Sequence, residues 1–503
     1  MRLLYLLLFT IYADISFVFC QGDKKSEMRP IPLSKEFVTN HTGTFGGKII
    51  RYKAIAGDNF LTNHEGDTTA SIWSVAYLAD SPLSVSRPVI FVFNGGPGSA
   101  SVWLHMGLFG PQLTKVQSDA KQDDGAAPYP LIPNPVGILD LADMVFIDPV
   151  GTGYSRVVGK GKAEDYWGLN EDAASIAQFI RMWTTKNKRW NAPKYIAGES
   201  FGTTRAVAVT EKLEGDGQEL SLNGLILISQ ALDYQGSTSE HDNIVSFVTY
   251  FPSMAATAWY HKKAGQGKTL EAFVDEARKF ALDDYVSSLY KGSGLPPSEK
   301  NRITERISYF TGLTNSYIEL SDQSILIPRF RKELLREKGI TIGQLDGRYM
   351  GSEADQIDDK PTLGDASGYN ISGAYTASLN HYFSSVLHVE MDRPYRTSNH
   401  EIGQKWRWRD TPDNAYWEPK YVNVARKLGN SMRANKDLKV MVASGYYDLI
   451  CPFFDAEYTF ARNGIVGDRI QYTYYESGHM MYVHEPSLLK LGQDIRAFLT
   501  AEK

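Results

Sequence analysis

The stretch Lys194-Tyr195-Ile196-Ala197-Gly198-Glu199-Ser200-Phe201-Gly202 carries the strongest signal in this chain of 503 residues. An apolar run leads into a G-x-S-x-G pentapeptide, and a helix-like stretch begins near Thr203. A strand, a sharp turn and a helix in that order lift a serine hydroxyl above the end of a sheet. The two flanking glycines leave room for such a strained turn. Alone the pentapeptide is a weak signal, and its weight comes from the segments around it.

Working outward, Met144-Val145-Phe146-Ile147 is a short apolar run bounded by acids, which predicts a central parallel strand. Ala173, Ile176, Ala177, Ile180 and Trp183 recur at helical spacing and predict a helix over 171–185. Gly224 to Ser229 reads as another buried strand, and 47–56, 70–79 and 88–93 are β-rich runs set apart by Gly, Asn and Asp. Alternating strands and helices predict an α/β fold with a doubly wound, mostly parallel sheet. After about Asp233 the pattern turns helical and aromatic, with helices expected over Leu270–Leu282 and from Pro328 to Lys338. The sheet pattern resumes at Leu438–Ala443 and Arg469–Tyr475, and an amphipathic helix over 486–499 closes the chain.

The composition, 43% hydrophobic and 22% charged, is that of a soluble globular protein. A net charge of -5 without a Lys/Arg-rich block argues against a nucleic-acid partner. Arg2, the apolar run Leu3–Tyr12 and a second patch Ile15–Phe19 read as an export signal cleaved after Cys20 or Ala13. Asp14 interrupts the run, so no stable membrane span is expected. Lipid attachment at Cys20 is the less favoured reading, because the bulky Phe19 precedes it. Cleavage after Cys20 leaves Cys451 as the single cysteine, so no internal disulfide is expected. That favours a bacterial-type exported protein, periplasmic or secreted. The sequons Asn40-His41-Thr42 and Asn370-Ile371-Ser372 weigh weakly against it.

A serine hydroxyl needs a base, and the base needs a third group to hold it. In chains that carry a nucleophile elbow the order is serine, acid, histidine. Asp448 follows the strand 438–443, and His479 follows the strand 469–475, so both fall where that order needs them. Asp455 and His484 are rivals that lie further from the strand ends, and the bland alternative makes Asp448 and His479 plain turn residues. Asn94-Gly95-Gly96-Pro97-Gly98-Ser99 follows the strand Val89–Phe93. The backbone N–H groups of Gly96 and Phe201 are the candidate oxyanion hole; a plain tight turn or a phosphate-binding turn is the alternative. The run Gly151 to Lys160 looks faintly like a nucleotide loop, but its spacing is wrong and no Ser or Thr follows Lys160. No H-E-x-x-H helix or zinc-spaced cluster is present, so neither metal nor cofactor is expected.

Four blocks together resemble the serine carboxypeptidase family: Asn94-Gly95-Gly96-Pro97-Gly98, Asp148-Pro149-Val150-Gly151-Thr152-Gly153-Tyr154-Ser155, Gly198-Glu199-Ser200-Phe201-Gly202 and Gly478-His479-Met480. The resemblance implies an α/β-hydrolase fold whose sheet carries an inserted helical cap. The organisation expected is a signal peptide over 1–20, the first part of the core over 28–234, the cap over 235–375 and the second part of the core over 376–503. It further implies removal of single residues from peptide C-termini, an exported or lysosome-like setting and activity favoured by acid. By the same resemblance Asn94, Gly95 and Glu199 grip the substrate's terminal carboxylate. A glutamate does so only when one of the two acids is protonated, so Glu199 is expected to have a raised pKa; a turn acid is the alternative.

Three departures stand out. Many family members carry a second glutamate two residues before the Gly-Pro after the oxyanion segment, where this chain has Leu108. Ser99 stands in place of a cysteine, and the family's D-Q-P block is shortened to Asp148-Pro149. Leu108 keeps open an esterase or acyltransferase on the same three residues, and a non-catalytic binding protein is the other alternative. Cys451, near the substrate cleft, is read either as a mercurial-sensitive thiol or as a packed side chain. Tyr250, Phe251, Trp259 and Tyr260 are read more readily as core than as substrate subsites. Peptides with a free C-terminus are the expected partners, and a homodimer is left open.

Overall fold

Among the described residues nine strands run side by side, and the residues of the central ones alternate between two apolar layers. In chain order they are β1 (Glu36–Phe45), β2 (Lys48–Thr62), β3 (Thr68–Ala79), β4 (Val89–Phe93), β5 (Asp143–Ile147), β6 (Lys194–Ser200), β7 (Gly224–Gln230), β8 (Lys439–Gly445) and β9 (Ile470–Tyr475). Their spatial order is β1-β2-β3-β5-β4-β6-β7-β8-β9, with the short strand Arg156–Val157 paired to β3. The β1–β2, β2–β3 and β3–β5 pairs are antiparallel, and every pair from β5 onward is parallel. The computed structural model describes residues 29–501 apart from 81–85, 117–119, 121–124, 216 and 412–413. The expected signal segment 1–20, with Cys20, lies outside the described residues.

Side-chain alternation explains the continuous apolar strands. Val89, Phe91 and Phe93 of β4 enter one core layer with Val440 and Val442 of β8. Ile90 and Val92 enter the other with Met441 and Ala443. A strand covered on both faces needs apolar residues at every position rather than every second one. Helices α1 (Leu169–Lys186) and α2 (Phe201–Leu213) cover the first face. The C-terminal helix Glu485–Thr500 covers the second through Leu488, Leu491, Ile495 and Phe498. This is the α/β-hydrolase arrangement expected.

Two details differ from expectation. The strand β1 went unanticipated: its residues alternate between exposed and half-buried over almost its whole length, so its sequence has no apolar run. The expected helix 328–338 ends at Glu333 and gives way to a separate turn, Arg336–Lys338, closed by Gly339 at φ 66°.

Between β7 and β8 the chain is mainly helical, including Ile244–Tyr260, Leu270–Phe280, Pro297–Thr311 and Ala366–His381. Phe251, Phe273, Phe280 and Phe310 form a third core with Tyr447 and Phe453, which follow β8. Tyr250 and Phe251 are buried there, and the partly buried Trp259 and Tyr260 pack against this core. No helix among the described residues is long and apolar enough to cross a membrane.

Candidate active site

The chain reverses at Ser200, where β6 ends and α2 begins one residue later. Ser200 has φ 60° and ψ −130°. A non-glycine residue with positive φ costs on the order of 1–3 kcal/mol and persists only where its surroundings impose it. The surroundings here are glycines. A Cβ on Gly198 would collide with the Gly202 carbonyl, and one on Gly202 would lie 3.0 Å from the carbonyl oxygens of Phe93 and Asn94. The turn therefore packs against the end of β4, and the first N–H groups of α2, Phe201 among them, have no partner within the helix.

The acid and the histidine arrive from β8 and β9, the two parallel strands beyond β7. Asp448 lies just past β8 and is fully buried. Its Oδ1 accepts from the N–H groups of Ile450 (2.8 Å) and Cys451 (2.9 Å), and its Oδ2 is 2.7 Å from Nδ1 of His479. A carboxylate is acceptor-only, so Nδ1 carries the proton and Nε2 is left as the base. The His479 backbone is clamped on both sides. Its N–H donates to the Leu345 carbonyl at 2.6 Å, and its carbonyl accepts from the Ser229 hydroxyl at 2.7 Å. Burial disfavours the imidazolium, but Asp448, by charge and hydrogen bond, with help from Cys451, holds the His479 pKa above the usual histidine value.

The rivals are placed elsewhere. Asp455 is buried against Gln230 (3.1 Å) and Thr459 (3.5 Å), and His484 pairs with Ser487 at 2.8 Å. Cys451 is buried, and that burial pushes its thiol up to about 11, so it is protonated at neutral pH. Among the described residues the one His, Cys and acid group close enough to hold an ion is Asp448, Cys451 and His479. Two of those side chains are already bonded to each other, and the third holds its proton.

The segment after β4 crosses the turn at Ser200. A Cβ on Gly95 would stand 2.6 Å from the backbone nitrogens of both Phe201 and Gly202, so only glycine permits this approach. The Gly96 N–H has no hydrogen-bond partner among the described residues. Asn94 is buried, and its Oδ1 accepts from Leu104 N–H at 3.0 Å. Its carbonyl accepts from Arg205, a buried guanidinium that also pairs with Asp172 at 2.6 Å. Glu199 is 4% exposed, and burial pushes its carboxyl up to about 7 against the opposing effects of His479 and of hydrogen bonds from Tyr482 and Asn94. The Tyr482 hydroxyl donates to Glu199 Oε2 at 2.7 Å.

Asn94, Gly95, Gly96, Glu199, Ser200 and His479 line one cavity of about 290 Å3. Its lining also includes Leu345, Gly368, Ile371 and Ser372 from the helical segment. Seven of the eight residues singled out in the sequence thus either line this cavity or, as Asp448 does, bond a residue that lines it; Phe201 lies under Gly95. Leu108 is not part of the lining: it is buried in the core. Tyr250, Phe251, Trp259 and Tyr260 are likewise absent from it: the first two are buried in the third core and the other two pack against that core.

Sequence reading missed Tyr482, the Arg205–Asp172 pair, and Asp346 with Arg348. Asp346 accepts from Gly478 N–H at 2.9 Å, and Arg348 donates to Ser477 at 3.0 Å, holding the His479 loop. An arginine in the otherwise uncharged stretch that follows the elbow was the available signal for Arg205. Asp148, in the block shortened by one residue, accepts from Ser101 N–H (2.9 Å) and the Tyr395 hydroxyl (3.0 Å), and burial pushes it up to about 7.

Comparison with solved structures finds Kex1Δp, a prohormone-processing carboxypeptidase from Saccharomyces cerevisiae, at a TM-score of 0.50 and 16% identity, covering 89% of this chain and 90% of that one. A proline iminopeptidase from Mycobacterium smegmatis follows at a TM-score of 0.34 and 11% identity, covering 92% and 97%. No curated protein matches by sequence. The family model described as serine carboxypeptidase matches residues 70–485. With a match of that extent, the chain belongs to the serine carboxypeptidase family.

Proposed function

We propose that this serine carboxypeptidase releases C-terminal residues through an acyl-enzyme on Ser200. The Ser200 hydroxyl attacks the scissile carbonyl while His479 Nε2 takes its proton and then passes it to the leaving amine. Water next attacks the ester, again with His479 as base, and Ser200 is regenerated. Asp448 fixes the tautomer and stabilises the imidazolium. Gly96 and Phe201 N–H groups receive the oxyanion; losing one such donor costs about 2.7–4 kcal/mol of transition-state stabilisation. Asn94, Gly95 and a protonated Glu199 bind the terminal carboxylate. The observation that carries this reading is the buried 2.7 Å contact of His479 Nδ1 with Asp448 in the wall of a cavity shared with Ser200 and Glu199.

Residues 235–375 serve in this reading as a cap over the cavity, and 1–20 as a cleaved export signal. An esterase on the same residues is the second reading, favoured by the alkyl side chain of Leu108 where the family's second acid falls. The test is hydrolysis of an N-blocked dipeptide with a free C-terminus, beside its amide and ester, together with a fluorophosphonate label mapped by mass spectrometry. Release of the free C-terminal residue with the label on Ser200, both lost in Ser200→Ala, is expected. Turnover of the ester alone moves the assignment to an esterase.

A further inference from the structure

The segment that lacks the second acid also contains the gap through which another group reaches Glu199. Tyr482 belongs to the turn Met481–Val483, three residues beyond His479. Its hydroxyl donates to Glu199 Oε2 at 2.7 Å, and both side chains are buried. The ring lies over Gly107, where a Cβ would stand 2.5 Å from ring carbons Cδ2 and Cε2. Gly107 immediately precedes Leu108 in the helical turn His105–Phe109. A side chain at 107 would exclude the phenol, and an acid at 108 is absent; the two features belong to one arrangement.

We propose that Tyr482 is the positioning residue for carboxylate recognition: its hydroxyl, in place of a second acid, holds Glu199 and sets the pH above which a free C-terminus is no longer preferred. The proposal rests on the reading of Glu199 given above. Two acids that share a proton lose it together as pH rises. A phenol behaves otherwise: burial raises the Tyr482 pKa well above 10, so its donor persists throughout the working range. With Oε2 accepting from Tyr482, the proton that Glu199 takes up belongs on Oε1.

The groups that face Glu199 are His479 and Asp448 from the strand ends, Asn94 from the segment after β4, and Tyr482 itself. Tyr375, from the helix Ala366–His381, lies against Tyr482. A hydroxyl that donates to the carboxylate stabilises the charged form. Its removal therefore raises the pH at which Glu199 gives up its proton.

The test is the ratio of kcat/KM for an N-blocked dipeptide acid to that for its amide, followed from pH 4 to 9. The ratio cancels the titration of His479, which both substrates share. In Tyr482→Phe the midpoint at which the ratio falls is expected to move up by about one pH unit, the size of one hydrogen bond to a charged group. Gly107→Ala, which pushes the ring away, is expected to move it in the same direction and serves if the first variant does not fold. A midpoint that stays, or moves down, in either folded variant overturns the proposal. Glu199→Gln runs beside them. If it leaves the wild-type ratio and midpoint intact, the Glu199 reading itself fails. If it abolishes the midpoint while Tyr482→Phe does not shift it, only the role of Tyr482 fails.

Discussion

Asp448 and His479 follow directly on two neighbouring parallel strands, β8 and β9, whereas Glu199 and Tyr482 meet in a hydrogen bond across 283 residues of chain. One member of each pair, His479 and Glu199, lines the same cavity, but the pairs are built differently. The reacting end is set by topology: strands in register deliver a turn serine, an acid and a histidine to the same edge of the sheet. The gripping end is set by packing, in which burial pushes a carboxyl up to about 7 and a glycine admits a phenol. In the proposed reading the first arrangement acts on any acyl substrate that reaches Ser200, and the second gives the site its preference for a free C-terminus and ties that preference to pH.

Substitutions at the reacting end separate the two most sharply, because they act on acid and amide substrates alike. Ser200→Ala is expected to lower kcat by about 10^4- to 10^6-fold on both, with circular dichroism unchanged. Asp448→Asn, which inverts the tautomer of His479, is expected to cost about 10^4-fold on both. A loss confined to the acid substrate in either variant would break the division.

The support beneath both ends comes next. Arg205→Met leaves Asp172 buried without its partner and releases the Asn94 carbonyl. About 3–5 kcal/mol of stability is expected to be lost, read in a denaturant titration. A neutral result would mean that Arg205 does not hold the segment after β4.

At the gripping end, Glu199→Ala is expected to lower the acid-to-amide ratio by about 10- to 100-fold at pH 5, the worth of one hydrogen bond to a charged group. The amide rate is the internal reference. An equal fall on both substrates would place Glu199 in the support of Ser200 instead.

The smallest effect concerns stability alone. Asp148 is buried, and its folded pKa of about 7 lies above the ordinary 3.8. The folded state therefore holds a proton that the unfolded chain releases, and the stability linked to it is lost as pH rises from about 4 to about 7. Asp148→Asn removes that linkage while an amide oxygen still accepts from Ser101 and Tyr395. The fall in Tm between pH 5 and 8 is expected to be smaller in the variant, with the gain at pH 8.

The same division explains what could be read in advance. Apolar runs bounded by turn residues exposed β4 to β9, and motif residues at strand ends exposed Ser200, Asp448, His479 and the Asn94–Gly96 segment. Those signals are local, and the periodicity of two covered faces amplifies them. The strand β1 gave no such signal because its faces are half-wet. Tyr482 gave none because its role depends on a missing Cβ at Gly107 and a carboxyl at 199, a three-way contact that no window of sequence contains. Asp346 and Arg348 were hidden likewise, since they reach the His479 loop from the helical segment.

The most direct test of the account is the acid-to-amide ratio of kcat/KM in the unmodified protein between pH 4 and 9. A ratio that is high in acid and falls through a single midpoint near 7, where burial places Glu199, is the predicted result. A ratio that stays flat across that range would contradict the claim that a protonated Glu199 selects the free C-terminus.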